Sequence, residues 1–293
     1  METVRLRLDL AYDGSEFSGW SRQPGLRTVE GVVDTAMAIL LKYPDPEVHL
    51  VVAGRTDAGV HATGQVAHID LSAAQWRALG AARRGDTAEQ SMARRLNGIM
   101  SGIVAGVVIA RISIAPPGFD ARFSPVWRCY EYRIADATSL RDPRRRAHTL
   151  WHNGTLDTAA MDAAARSLTG LHDFAAFCKP RARATTVRTL LNYGWTRDAN
   201  GVLTAQVRAD AFCHSMVRAL VGAAVAVGLG RVTLTELTQV LTAAVKTNAF
   251  AVVAAKGLTL IEVGYPADDE LGARAALTRA RREPLDRESD RSD

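Results

Sequence analysis

Lysine is nearly missing from this chain. Only Lys42, Lys179, Lys246 and Lys256 are lysines among 36 basic residues in 293, at a net charge of +5. Arginine therefore carries the positive charge, and its planar fork of donors favours phosphate contacts. Cysteine is also scarce: Cys129, Cys178 and Cys213 stand far apart with no C-x-x-C, which signals neither a thiolate zinc site nor a disulfide framework. Free thiols of a cytoplasmic protein are expected. Long apolar runs are missing too. The longest, residues 219–230, has 12 residues, short of the roughly 20 that span a bilayer, and the N-terminus has no basic segment followed by an apolar one. No membrane span and no export are expected. A G-x-x-x-x-G-K-[ST] phosphate loop, an H-E-x-x-H pair and a G-x-S-x-G elbow are all absent, which removes the usual NTPase and hydrolase signatures.

What is present reads as alternating strands and helices. Val4, Leu6, Leu8 and Leu10 alternate with Arg5, Arg7 and Asp9, the period of a strand with one wet face. Apolar residues from Val29 to Leu41 recur at helical spacing, with Thr28 placed to cap and Pro44 to stop. Residues 48–53 and 65–70 read as strands around a glycine-flanked loop, and residues 72–92 as a helix followed by a mobile connection. After the turn at Pro116-Pro117-Gly118, residues 127–134 alternate again. Beyond them come a helix over 157–168, strands near 187–210, a buried helix over 215–229, a capping box at Thr233 and Glu236, and a strand over 258–263. Two α+β halves, 1–122 and 123–266, are expected, followed by a charged, mobile or marginally helical tail, 267–293. After Pro266 six arginines face eight acids, so the preceding chain holds +7. The folded part is the basic part.

The strongest local candidate for chemistry is the segment 54–59, where one carboxylate, Asp57, and one guanidinium, Arg55, lie between two glycines. An arginine two residues from an aspartate can pair with it or grip an adjacent phosphate, although spacing alone fits a surface turn as well. His61, His68, His172 and His214 show no ligand spacing, and no metal site is expected. Tyr130, Tyr132 and Arg128 share a strand face, as half-buried sheet aromatics or as a stacking platform for bases. Arg218 is flanked by apolar residues on the buried helix; it either meets a carboxylate there or reaches to solvent from the helix edge. The runs Arg144-Arg145-Arg146 and Lys179-Pro180-Arg181-Ala182-Arg183, with Arg188, are solvated loops or phosphate contacts.

Seven segments, taken in order, give these residues a common setting. They are Tyr12-Asp13-Gly14 with Phe17, Gly19 and Trp20; Gly54-Arg55-Thr56-Asp57-Ala58-Gly59-Val60-His61-Ala62; Phe119-Asp120-Ala121-Arg122-Phe123-Ser124; Tyr130-Glu131-Tyr132-Arg133; His172-Asp173-Phe174; Met216-Val217-Arg218; and Gly257-Leu258. Together they resemble the tRNA pseudouridine synthase A family. The resemblance implies an α+β fold of two ferredoxin-like halves, with antiparallel and mixed sheets joined across a central basic cleft. It also implies a cytoplasmic homodimer that binds tRNA and converts uridine to pseudouridine on the 3′ side of the anticodon stem and loop. By resemblance Asp57 is the catalytic aspartate, Tyr130 the aromatic that stacks on the target uracil, and Arg218 the basic partner of the aspartate. Arg55, Leu258, His61 and Arg122 are implied as further substrate contacts. Departures from the family pattern include Ser21 after Gly19-Trp20, Phe212-Cys213-His214-Ser215 before Met216, and Ala254-Ala255-Lys256 before Gly257.

The implied reaction breaks the N1–C1′ bond of uridine, turns the uracil and joins C5 to C1′, with no redox change and no outside reactant. No cofactor is therefore expected. One carboxylate can attack sugar or base as a nucleophile, or take a sugar proton to give a glycal-like intermediate, and residue types do not choose between these. A carboxylate-based glycosidase would need a second acid and would release free base. A silent RNA-binding module would have no need of Asp57, Tyr130 and Arg218 together.

Overall fold

The computed structural model describes residues 3–42, 49–79, 85–179 and 185–280. In chain order its elements are β1 (Thr3–Tyr12), α1 (Val29–Leu41), β2 (Val51–Val52), β3 (His61–Ser72), α2 (Ala73–Leu79), α3 (Ala88–Ile103), β4 (Val107–Ile114), β5 (Trp127–Ala135), β6 (Leu150–Trp151), α4 (Thr158–Ser167), β7 (Gly170–Asp173), β8 (Val187–Arg197), β9 (Leu203–Ala209), α5 (Met216–Gly228), α6 (Leu234–Ala243), β10 (Leu258–Gly264) and α7 (Leu271–Arg279). The class is α+β with a mixed sheet, since β10 runs parallel to β3 while the other described pairings are antiparallel.

The contacts divide the chain into two compact units rather than at one cut near residue 122. The first comprises Met1–Arg133, Arg141–Trp151 and Ala255–Arg279; the second takes in Ile134–Leu140 and His152–Ala254. In the first unit the strands order as β4-β1-β3-β10-β5, with β2 on β3. The alternation read in β1 is real: Leu6, Leu8 and Leu10 are buried. Thr28 caps α1 by accepting from the Gly31 N–H, and the helix ends at Lys42 in the left-handed region, φ 58°. Pro44 lies outside the described residues, as does residue 48 of the expected second strand, of which only Val51–Val52 is formed.

Two expectations are corrected here. The connection expected up to residue 92 ends earlier, because Thr87 and Gln90 form a capping box that opens α3; residues 80–84 lie outside the described residues. Met92, Leu96 and Met100 recur every four residues to bury one narrow stripe of that helix. The expected tail also folds in part. α7 buries Leu271 and Ala275, Ser124 Oγ donates to the Leu271 carbonyl, Arg274 Nε to the Pro125 carbonyl, and Arg279 meets Asp120 at 2.8 Å. Charges that suggest a solvated tail here point back at the first unit.

The second unit is a β7-β8-β9 antiparallel meander with α4 against β8 and α5. Asp157 caps α4, and the Thr233–Glu236 box caps α6 as expected. The cysteine expectation is corrected here: Cys178 and Cys213 form a disulfide, their Cα atoms 5.8 Å apart, and Cys129 alone is a free, buried thiol among the described residues. The two sulfurs come from loops 35 residues apart in sequence, a distance that local spacing does not report.

The polar knot of this unit is Asp136, whose side chain has no exposed area. One oxygen accepts from the Thr138 N–H and hydroxyl, the Ser139 hydroxyl and Arg197 Nη1; the other accepts from the Leu156 N–H and Arg197 Nη2 at 2.9 Å. Burial opposes its charge, but these donors outweigh it and hold the carboxyl well below the usual range. A depressed folded-state pKa contributes stability above the unfolded value, and that contribution fades as pH falls through the lower one. Asp136→Ala is expected to cost about 3 kcal/mol at neutral pH, since it takes the carboxylate from a half-buried guanidinium and the acceptor from three buried or half-buried donors. Denaturant melts of native and variant protein should converge as the pH is lowered below about 4.

Candidate active site

The site is built in the first unit on three neighbouring strands. β3 begins where the loop 54–60 ends, β10 lies beside it, and β5 lies beside β10. On β10, Leu260 stands opposite Tyr130 and Leu258 opposite Tyr132, so these four side chains share one face. Leu258, Tyr130 and Tyr132 are all buried.

The loop itself is held by backbone. Thr56 carbonyl accepts from the Trp20 N–H at 3.0 Å, Phe17 carbonyl accepts from the Gly59 N–H at 3.2 Å, and the Val60 N–H closes a turn on the Asp57 carbonyl. Two glycines make this approach possible. A Cβ at Gly14 would sit inside the Val60 carbonyl, and one at Gly19, φ 96°, would lie 2.9 Å from the Thr56 carbonyl oxygen. Side chains add a buried chain beneath the loop, in which Gln65 reaches Gly54 and Tyr12, and Tyr12 reaches Thr56. On this frame Arg55 is exposed, Thr56 buried and Asp57 half-buried.

Tyr130, distant in sequence from Asp57, feels its carboxylate charge. Burial pushes the Tyr130 hydroxyl well above its ordinary pKa, Tyr12 and Asp57 push the same way, and only Arg128 opposes them. Arg128 extends over the loop's entry, donating to the carbonyls of Ala53 at 2.8 Å and Arg122 at 3.2 Å. Arg122 is exposed, its guanidinium 5.1 Å from the Phe123 ring centre. Arg218 belongs to the second unit, near the start of α5. It is half-buried, its Nε donating to the Val253 carbonyl at 2.7 Å, which anchors the guanidinium within that unit.

For His61, implied as a substrate contact, the structure shows hydrogen bonds within the fold. The ring is buried; its Nδ1 accepts from the Gly14 N–H at 3.1 Å, and its Nε2 stands 3.0 Å from the Ala147 carbonyl and 3.2 Å from that of Lys256. A backbone donor on one nitrogen and two carbonyls on the other fix the neutral Nε2–H tautomer. Asp13 Oδ1 lies 3.1 Å from Nδ1. The imidazole therefore ties the loop's exit to the turn at Gly14, the arginine-rich turn Pro143–His148 and the turn Ala255–Gly257. Sequence reasoning missed Gln65 as part of the site and did not find that Tyr12 and Arg128 hold the loop. The available signal was a glutamine in the middle of an apolar strand. The stretch 180–184 of the second basic run lies outside the described residues.

No group of three or more His, Cys, Asp or Glu side chains among the described residues is placed to hold a metal, and no helix there is long and apolar enough to cross a membrane. The chemistry on offer is that of one half-buried carboxylate on a fixed loop below an aromatic and apolar wall.

Comparisons with known proteins place the chain in a family. Residues 164–266 match the family described as tRNA pseudouridine synthase. A tRNA pseudouridine synthase A of Leifsonia xyli subsp. xyli is 53% identical over 284 residues, covering 96% of this chain and 98% of the relative. Those of Frankia casuarinae and Mycobacterium leprae are 53% and 45% identical, each pairing covering at least 95% of both chains. The class is that of the pseudouridine synthases, isomerases that act on RNA. Within it, the chain belongs to the tRNA pseudouridine synthase A family.

His61→Leu strands the Gly14 N–H and two carbonyls, and the expected loss is about 2 kcal/mol of stability with tRNA affinity within about twofold of native. Thermal melts and a filter-binding titration check this; a normal melt with weakened binding would make His61 a substrate contact.

Proposed function

We propose that this protein isomerises uridine to pseudouridine on the 3′ side of the anticodon stem and loop of tRNA, as a cytoplasmic homodimer without cofactor. The observation that carries the reading is the electrostatic coupling of half-buried Asp57 to the buried Tyr130, on a loop whose sequence matches the family motif. The substrate arm, the dimer and the compartment rest on the family resemblance.

In the reaction the target nucleotide flips out of the RNA stack so that its sugar and base reach Asp57. Asp57 acts at C1′ or the base as a nucleophile, or takes a sugar proton; either way the N1–C1′ bond breaks. The freed uracil keeps its place by stacking on Tyr130, with Leu258 as an apolar wall. It turns, C5 bonds to C1′, the C5 proton leaves and N1 gains one, so the atoms of uridine and pseudouridine balance. Arg218 is assigned as the cation that positions Asp57, and Arg55 and Arg122 as exposed contacts to the flipped nucleotide and its flanking phosphates.

The exposed turn with Arg144, Arg145 and Arg146 supports binding along an RNA backbone. Arg144 and Arg145 share Asp142, whereas Arg146 has no acidic partner within salt-bridge distance among the described residues. Replacing Arg145 and Arg146 by glutamine is expected to weaken tRNA binding uniformly across sequences. The slope of log K against log salt should shrink by about one to two.

The direct test incubates the protein with unmodified tRNA, without added cofactor and with EDTA present, and maps pseudouridine by position. Asp57→Asn is expected to abolish product while leaving tRNA affinity within a few-fold, because phosphate contacts supply most of the binding. Turnover by that variant would remove Asp57 from its role, and release of free uracil would make the protein a glycosidase.

A further inference from the structure

Three polar side chains under the catalytic loop have no part in the reaction as described, yet all three are buried. Gln65 has no exposed surface, Tyr12 is 5% exposed and Thr56 7%. A glutamine and a tyrosine hydroxyl are costly to bury, so their hydrogen bonds carry information about what the fold holds in place.

The direction of the Gln65 bonds follows from their partners. The Gly54 carbonyl only accepts, so Gln65 Nε2 donates to it, at 2.9 Å. The Val66 N–H only donates, so Gln65 Oε1 accepts from it, at 3.2 Å. This fixes the amide, whose second Nε2 proton meets the Tyr12 oxygen at 3.1 Å. The phenol also carries its own proton, and its bond with Thr56 Oγ1, 2.8 Å away, can be donated by either hydroxyl. Burial raises the Tyr12 pKa to about 12, against the help of Thr56 and Gln65, so that proton stays on the phenol at neutral pH.

The chain thus grips the loop on both sides of Arg55, at the Gly54 carbonyl and at the Thr56 hydroxyl. Asp57 is the next residue. We propose that Tyr12 and Gln65 are positioning residues for the isomerase, which set the place of the Asp57 carboxylate through Thr56 and Gly54 without touching RNA. This rests on the reading of Asp57 as the catalytic group. The main-chain bonds from Trp20 and Gly59 fix the loop's path, whereas the side-chain relay fixes its depth against β3.

Tyr12→Phe removes one oxygen and nothing else, and Thr56→Val removes the same bond from its other end at nearly constant volume. Each is expected to lower kcat per folded enzyme about tenfold or more with KM within about threefold, since small misplacements of a reacting group are costly. Thr56→Ser keeps the hydroxyl and should retain most of the rate. The Tyr12→Phe/Thr56→Val double variant should fall no further than the worse single one, because the Tyr12–Thr56 bond is already lost in each single variant, Tyr12→Phe losing the bond to Gln65 as well. Thermal melts give the folded fraction, and hydrogen exchange at Gly59 and Val60 supplies a readout that needs no turnover: both amides should exchange faster in each variant. Native-like kcat in Tyr12→Phe, additive losses in the double variant, or unchanged exchange would each overturn the proposal. Turnover by Asp57→Asn would instead overturn the reading beneath it, while faster loop exchange would still stand.

Discussion

The site depends on one constraint, the packing of the catalytic loop's main chain directly on the main chain of the segment after β1. Hydrogen bonds between Trp20 and Thr56 and between Gly59 and Phe17 require two backbones at contact distance, which side chains at Gly14 and Gly19 would block. With the path of residues 54–60 set in this way, Arg55 faces solvent and Asp57 is half-buried, without help from a strong local propensity.

A second requirement is long-range. Asp57 meets an aromatic and apolar wall because β10, near the end of the chain, inserts between β3 and β5. Its parallel pairing with β3 is short, Thr259 with His61 and Leu260 with Ala62, and the antiparallel pairing with β5 is longer. The buried His61 ring reinforces that short seam by bridging from the loop's exit to Lys256. A parallel seam of two pairs is weak by itself, so a buried hydrogen-bonding side chain at the same point has an energetic purpose.

Much of this architecture was legible because its signals are local. The alternation of β1 and β5, the helical spacing of α1 and α5, and caps at Thr28 and Thr233 each depend on residues within a few positions of one another. α3 was not legible, since Gly98, Gly102 and two arginines interrupt a stripe of only Met92, Leu96 and Met100. β4 escaped notice as well. α7 was hidden because the pairing of Arg279 with Asp120 spans 159 residues. The same reason hid the disulfide and the relay under Asp57. Asp57 itself was conspicuous as a carboxylate between glycines, but its partners are joined only by tertiary structure, and family motifs rather than spacing pointed to them.

The state of Tyr130 narrows the chemistry that the pocket can perform. A buried hydroxyl whose pKa is raised by burial and by the nearby Tyr12 and Asp57 stays protonated at neutral pH. Arg128 acts in the opposite direction and does not reverse that balance. A phenol in this state stacks on a base and can donate a hydrogen bond, but it is a poor proton acceptor. In the proposed reaction the proton that leaves C5 in the final step therefore needs another acceptor, either the carboxylate proposed to open the reaction or water. Of the two, Asp57 is fixed by the frame beneath it. If one carboxylate both opens and closes the proposed reaction, it needs a constant position throughout, which is what backbone packing and a buried relay provide.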